Sequence, residues 1–495
     1  MRTTPHCCFP VITAFYANPA RIRPCQTSRK FDLQLNGDNR LPIPNDLRSW
    51  RGIRNAIKGA WAADSLRGRF ARGAVWSFVG AILAQGSNLI AFIVTARLLG
   101  RQQFGEYGMI QSTVGMLGLF AGLGLGVTAT KYVAEFRNLD PQRAGRIIAM
   151  GSALAIASGG AISIALLVFA PFIAARTLNA PALAGELRIA SALLFFSALN
   201  GSQNGALAGF EAFRAVARIN LVRGLITFPV AVIGVLVWRL PGSIWALSIT
   251  SAVSCLLSTV ALRSQCRTLG IRPQFSGAFA EGRILWTFSV PVVLMGSMVG
   301  PATWAADTML VNQPGGYAAM ALFSAASQWK SAILFAPLVL AQFALPLLSN
   351  LNGEKDISRY EKTLKWHLIL TTVVSTTAAV PIAIASPFIM ALYGRSFREG
   401  WLVLVLSAAT AIVACLNGVV GTAIISAGSV WVCCGFNAMW AVVFLAMSYW
   451  FIPSHLALGL AASLFCAYVA HALWQAAYLR RALARISVVV LAGLG

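Results

Sequence analysis

From about Gly73 to Leu479 this chain is a succession of apolar runs, each near 20 residues long, separated by short charged or Pro/Gly-rich gaps. A run of that length is what an α-helix needs to cross a hydrocarbon core of roughly 30 Å at 1.5 Å per residue. No water is present there to satisfy backbone N–H and C=O groups, so each run has to be a helix. Split at its breaks, the sequence predicts twelve spans, at approximately 74–97, 107–130, 147–171, 187–209, 219–238, 243–262, 285–308, 317–341, 366–389, 401–425, 430–451 and 456–478. Span 187–209 is interrupted by Asn200, Gly201, Gln203 and Asn204, and span 366–389 carries Pro381 and Pro387 near its end. Charged residues make up 11% of the chain and mean hydropathy is +0.72. A soluble domain carries about 25% charge, so a soluble fold is excluded. The expectation is an all-α polytopic membrane protein.

The basic residues then report orientation. With the N-terminus inside, 15 Lys and Arg fall in inner loops and seven in outer loops, a bias of about two to one. Positive loops stay cytoplasmic, so both termini are expected in the cytoplasm of a bacterial cell, with the chain in the inner membrane. The net charge of +24 is explained by this placement and by anionic lipid, and nucleic acid is not expected as a partner. Residues 1–72 hold 13 Lys and Arg against four acids and form a basic cytoplasmic tail, largely disordered, in which Asp46 to Arg72 suits a helix lying on the inner leaflet. The nine cysteines show no disulfide framework and no metal-ligand spacing; those in the spans read as small buried hydrophobes.

One charge breaks the pattern. Every Lys or Arg except Lys330 is assigned to a terminus, a loop or a helix end, while Lys330 lies 13 residues into span eight, about 20 Å deep. A lysine at the bilayer centre costs about 2.5–3.5 kcal/mol on insertion scales. It therefore faces a wet cavity and meets an anion, or it is paired with an acid. Asp307 is the obvious partner, but it stands near the outer end of span seven, which makes for poor pairing geometry. Asp307 itself suits either a coupling cation or proton, or a wet position at the outer interface.

An internal repeat is visible. Leu199-Asn200-Gly201 recurs as Leu416-Asn417-Gly418, and Asn220 recurs at Asn437, both at an offset of 217. Gly105-Glu106-Tyr107 after span one parallels Gly315-Gly316-Tyr317 after span seven. Six spans is an even number, so the two halves share one orientation and are related by a pseudo-two-fold along the membrane normal. This divides the chain into an N-terminal six-helix lobe (73–262), a basic cytoplasmic linker (263–284), a C-terminal six-helix lobe (285–479) and a C-terminal tail (480–495).

Three stretches carry a family resemblance. They are Ala96-Arg97-Leu98-Leu99-Gly100-Arg101-Gln102-Gln103-Phe104-Gly105-Glu106-Tyr107-Gly108 at the exit of span one, Asp307-Thr308-Met309-Leu310 leading to Gly316-Tyr317, and Leu392-Tyr393-Gly394-Arg395-Ser396-Phe397 before span ten. In these the chain resembles the MATE-like (MOP) exporter superfamily, in its oligosaccharide flippase branch for O-antigen and exopolysaccharide repeat units. The resemblance covers about Arg72 to Leu479 and implies two lobes in a V with alternating access. It also implies a substrate, an undecaprenyl-diphosphate-linked oligosaccharide, with membrane lipids, a polysaccharide polymerase and glycosyltransferases as further partners. The alternatives are a cation-coupled multidrug exporter of the same superfamily and a peptidoglycan-precursor flippase. The latter usually carries two extra C-terminal helices.

The site residues follow from that reading. Lys330 would meet the diphosphate or an acidic sugar, because an ammonium is a compact charge that serves several phosphate oxygens in turn. Asn200, Gln203, Asn204 and Asn417 sit on spans expected to face each other across the repeat. They would hydrogen-bond sugar hydroxyls, or join helices at about 0.6 kcal/mol each. Trp329 would stack on a sugar ring or, like Trp76 and Trp304, anchor a span end. Asp307 is the ion-coupling candidate. The glycines of span two (Gly115, Gly118, Gly122, Gly124, Gly126) suit close helix packing in the first instance, or an unwound stretch. No nucleophile elbow, phosphate loop, paired-carboxylate spacing or ATP-binding domain is present, so neither an enzyme nor a cofactor is expected, and His367 and His471 receive no role.

Overall fold

The computed structural model describes residues 66–492 except 276, 278–281, 283–288, 354–356 and 427–428, with side chains described from Gln85 onward apart from short stretches. The tail to Ser65, including most of the expected leaflet helix and Cys7, Cys8 and Cys25, lies outside the described residues. Everything described is helical or a short connection. The helices are α1 (Leu66–Gly122), α2 (Leu125–Phe136), α3 (Pro141–Phe172), α4 (Ala184–Gly209), α5 (Phe213–Thr268), α6 (Val290–Ser297) and α7 (Val299–Val311). They continue with α8 (Gly316–Gly353), α9 (Ile357–Ile384), α10 (Ser386–Leu392), α11 (Trp401–Ser426) and α12 (Val430–Ala492).

Three of these are hairpins rather than rods. The helix α1 breaks at Gly100 (φ 77°), α5 at Trp238 and Arg239, and α12 at Leu456. In α1 the rings of Phe92 and Tyr107 lie 6.0 Å apart, where 15 residues of straight helix would separate them by about 22 Å. In α5 a Cβ on Gly234 would collide with the carbonyl of Gly242, and in α12 one on Gly459 would collide with that of Phe451. The chain turns back within a few residues at each point, where the sequence places the connections between spans one and two, five and six, and eleven and twelve. Each of these three reversals passes through a residue with φ > 0, which Gly100 adopts freely and which Arg239 and Leu456 adopt at a cost. Counted as continuous helices among the described residues, six are long and apolar enough to cross a membrane, and a seventh joins them if the bent pair α1–α2 is one span.

Packing is inverted relative to a soluble protein. Ile164, Val168, Phe169, Leu236, Val237, Val260, Phe388 and Trp450 face outward, while Thr95, Asn200, Gln203, Ser254, Ser258, Thr371 and Ser375 are buried. That is the arrangement that suits hydrocarbon outside and helix–helix hydrogen bonds inside. In the first half α5 lies against α1 and α4, and α4 against α2 and α3; in the second half α11 touches α8, α9 and α12. The halves meet where α1 runs against α7 and α8.

The structure amends several expectations. Span two is not one straight helix: Leu123 and Gly124 both take positive φ, and the axis bends by 41° between α1 and α2. Its glycines serve both readings, because a Cβ on Gly205 would overlap the backbone of Gly126, so α2 and α4 also touch main chain to main chain. Span nine ends at Ile384, and Ala385 separates it from the short α10. The helix that carries span one already begins at Leu66, span six continues to Thr268, and span twelve to Ala492. Helices therefore reach across the assigned boundaries at 73, 263 and 480, because hydropathy marks only the part of a helix that sits in lipid.

Candidate functional site

The three resemblance-bearing stretches lie far apart in sequence and come together at one end of the molecule. Arg97 donates from Nε to the carbonyl of Leu392. Arg101 donates from Nε to the carbonyl of Ala318 (3.0 Å) and from one terminal nitrogen to the carbonyl of Ser396 (3.2 Å) and to Glu399 (3.0 Å). The chain turns at Gly100, between these two arginines, and their side chains reach α8, the end of α10 and the turn Arg395–Gly400 that precedes α11. Phe104 stacks on Tyr107 (5.9 Å) and meets Tyr393 (6.4 Å) and Phe397 (5.8 Å). Gly105 has no side chain because the Tyr317 backbone occupies that space, and Gly108 likewise admits Ser324. The Tyr317 hydroxyl donates to the Leu178 carbonyl (2.8 Å). The result is a clasp joining the two halves at the Gly100 end.

Behind the clasp lies the charged pair. Asp307 is 3% exposed, so it does not sit wet at an interface. It is enclosed because α1 covers that face of α7: Ser112 donates to Asp307 Oδ2 at 2.6 Å, and Oδ1 has no hydrogen-bond partner. One turn away, Trp304 donates to Thr113 at 3.1 Å, a second link between the same helices. Lys330 stands on α8 with its Nζ 6.0 Å from the Phe323 ring centroid. It lies within electrostatic reach of Asp307, closer than helix ends counted from sequence implied. Ion pairs of 4.0 Å or less join Arg101 to Glu399 and Arg137 to Glu211, but none joins Lys330 to Asp307. The Lys330 ammonium makes no hydrogen bond among the described residues, which leaves it able to receive an anion.

A cavity of about 490 Å³ opens inside the first half, lined from α1, α4 and α5 with Gln328 from α8. Asn200 and Asn204 line it. Asn200 donates to Ser254 (2.9 Å) and accepts from Ser258 (3.1 Å) and Asn204 (3.1 Å). Gln203 is taken up by Thr259 (2.8 Å) between α4 and α5. Asn417 does not face these amides; it is buried in the second half and donates to the Tyr468 carbonyl at 3.0 Å. Trp329 donates to the Tyr393 hydroxyl at 3.0 Å, which ties it to the clasp.

Sequence reasoning missed Arg223. The inner-loop count includes it, yet α5 begins at Phe213, so Arg223 lies ten residues along that helix and lines the cavity. The signal available was its position inside the apolar run 219–238. Five of the cysteines (Cys255, Cys266, Cys415, Cys433, Cys434) are buried free thiols and Cys466 is exposed. Among the described residues no three His, Cys, Asp or Glu side chains gather as a metal would need.

Comparison with known proteins places this geometry. The family described as "Polysaccharide biosynthesis protein" matches residues 70–352, more than half of the chain. The EPS I polysaccharide export inner membrane protein EpsE of Ralstonia nicotianae (strain ATCC BAA-1114 / GMI1000) is 26% identical over 304 residues, which is 60% of this chain and 68% of that protein. The protein of the same name from Ralstonia solanacearum is 24% identical over 58% of this chain and 65% of its own length. Among solved structures, the inward-facing conformation of a multidrug resistance MATE family transporter of the MOP superfamily superposes with a TM-score of 0.69 at 15% identity, over 84% of this chain and 99% of that one. A MOP superfamily transporter from Pyrococcus furiosus Vc1 (DSM3638), described as having a binding pocket of reverse polarity, gives 0.64 at 14% identity over 85% and 96%. At these identities the likeness is one of fold.

Proposed function

Because the chain belongs to the polysaccharide biosynthesis protein family, we propose that it is a secondary flippase of a bacterial inner membrane. It carries a lipid-linked oligosaccharide, built on undecaprenyl diphosphate, from the inner to the outer leaflet for surface polysaccharide synthesis. The polysaccharide export role that the Ralstonia relatives are named for supports that substrate class. The observation that carries the mechanism is the clasp. Two helix sets joined at one end by a few polar contacts, with a half-buried cation behind them, are the parts alternating access requires.

In this reading each half contributes six spans, and the three hairpins account for the spans merged into α1, α5 and α12. The repeat extends into the buried polar positions. Asn200, Ser254 and Ser258 stand against Asn417, His471 and Gln475, all three at an offset of 217. The charge bias puts the Gly100 end outside, so the clasp is an outer gate in its closed state. Lys330 lies about 20 Å along α8 and meets the diphosphate, while the lipid tail stays in the bilayer. The Ser112–Asp307 bond crosses between the halves. A proton or cation taken up by Asp307 would act on a join that must part when the gate opens, which makes it the coupling candidate. A multidrug exporter of cations is disfavoured, because the only charged residue lining the cavity is an arginine.

The test is the sign of the site. Lys330→Ala should abolish surface polysaccharide in a strain lacking the native gene while the protein still inserts, and Lys330→Arg should restore part of it. Full export by a stably expressed Lys330→Glu variant would refute the assignment.

A further inference from the structure

The cavity in the first half is lined by Gln328 but not by Lys330, and it has its own chemistry. Arg223 is its single charged lining residue, and no carboxylate faces it. Arg223 is partly buried, and its guanidinium donates to no described residue. It stands four residues into the apolar run that begins at 219, on the wall of the cavity. An ionisable group without a partner inside a membrane span is costly, and such groups mark ligand sites or ion paths.

The remaining wall suits a polyol. Asn88, Gln111, Asn200, Asn204 and Gln328 offer both donors and acceptors, and Ser and Thr hydroxyls fill the spaces between them. Phe92 and Tyr107, tilted at 54° with centroids 6.0 Å apart, supply a flat apolar side for sugar C–H groups. The volume of about 490 Å³ falls in the roughly 300–1,000 Å³ range of small-molecule sites and accommodates a sugar unit rather than a lipid chain. A neutral sugar would leave the guanidinium unpaired. A sugar carboxylate would meet its two-pronged donor edge.

We propose that this cavity is a head-group subsite for an acidic sugar, a uronate-type residue whose carboxylate pairs with Arg223 while Asn200 and Asn204 hold its hydroxyls. The inference rests on the flippase reading for its role in transport, but binding can be measured without it. Saturation-transfer NMR on the purified full chain should detect free glucuronate and show weaker transfer to glucose. Arg223→Gln should abolish the difference. In proteoliposomes, two probes would be flipped: a polyprenyl-diphosphate trisaccharide ending in glucuronate, and the same compound with its carboxyl group reduced to the alcohol.

Wild type should prefer the acidic probe. Arg223→Gln should lower the acid-to-reduced ratio by about ten- to a hundredfold, the scale of a charged hydrogen-bonded pair. Arg223→Lys keeps the charge and should retain part of the preference; it serves as the readout if Arg223→Gln fails to fold. Asn204→Leu should slow both probes alike. A ratio that stays the same in the folded Arg223 variants, with no glucuronate preference in the NMR, overturns the subsite even if Lys330→Ala abolishes transport. Arg223-dependent glucuronate binding in a protein that flips neither probe leaves the subsite standing and removes the flippase reading.

Discussion

The clasp gives the sharpest quantitative prediction, through Arg101→Ala. Its side chain makes three contacts to the other half: two backbone carbonyls and the Glu399 carboxylate. Glu399 is 75% exposed and Arg101 26%, so the ion pair adds only about 0.5 kcal/mol after screening. The two carbonyl bonds, charge-assisted but near solvent, contribute on the order of 1 kcal/mol each. The closed state should lose roughly 2–3 kcal/mol, which is a shift of about 30- to 150-fold in the open-to-closed ratio. If the open state is about 1% populated in wild type, it should rise to between roughly a quarter and 60%. Spin labels at Gln102 and Arg398, both exposed beside the clasp, would report this in nanodiscs by pulsed EPR as a new long-distance population. Glu399→Gln should move the ratio only about twofold, the value of the exposed pair alone. If Arg101→Ala leaves the distances within that twofold band, the contacts do not hold the gate and the reasoning fails.

Gly105→Val should force the same end apart, because its side chain has nowhere to go but the Tyr317 backbone; the same spin-label pair checks it. Gly205→Ala should lower the melting temperature by the equivalent of about 1–3 kcal/mol, since its Cβ meets the Gly126 main chain, while Gly201→Ala, with open space beside it, should leave the melt unchanged. Reporter fusions after Arg143 and Lys355 should read cytoplasmic and those after Asn312 periplasmic; a reversal at any of the three breaks the orientation. Asn417→Leu should cost about 0.6 kcal/mol of stability, seen in the melt, and leave probe preference unaltered, because its amide serves the Tyr468 carbonyl.

What hydropathy could report, and what it could not, separates along a physical line. The turns near Gly100, Arg239 and Leu456 were legible because chain reversal at a membrane surface needs polar or conformationally free residues. The interior of span two was harder. Five glycines admit both close packing and a break, and only the neighbours Gly205 and Leu123 decide that both occur. Asp307 was placed too near water because sequence measures distance along its own helix and is blind to α1, whose Ser112 covers it. Arg223 was lost for a related reason. The helix starts six residues before the apolar run does, so a residue at the edge of the run is already deep in the helix. The amides Asn200 and Asn417 look alike in sequence, which could not tell that Asn200 lines a cavity while Asn417 is taken up inside its own half.

The contacts of Arg97 and Arg101 across the clasp span 217 to 298 residues. At roughly 5–20 residues per second of synthesis, the first hairpin waits about 10–60 seconds in the bilayer before its partners emerge. During that interval the helices of the first half must persist on their own packing, so the clasp contributes nothing to their survival. The two halves are thus built as separately viable pieces, and a chain cut in the basic linker and expressed as two fragments should reassemble into a working molecule.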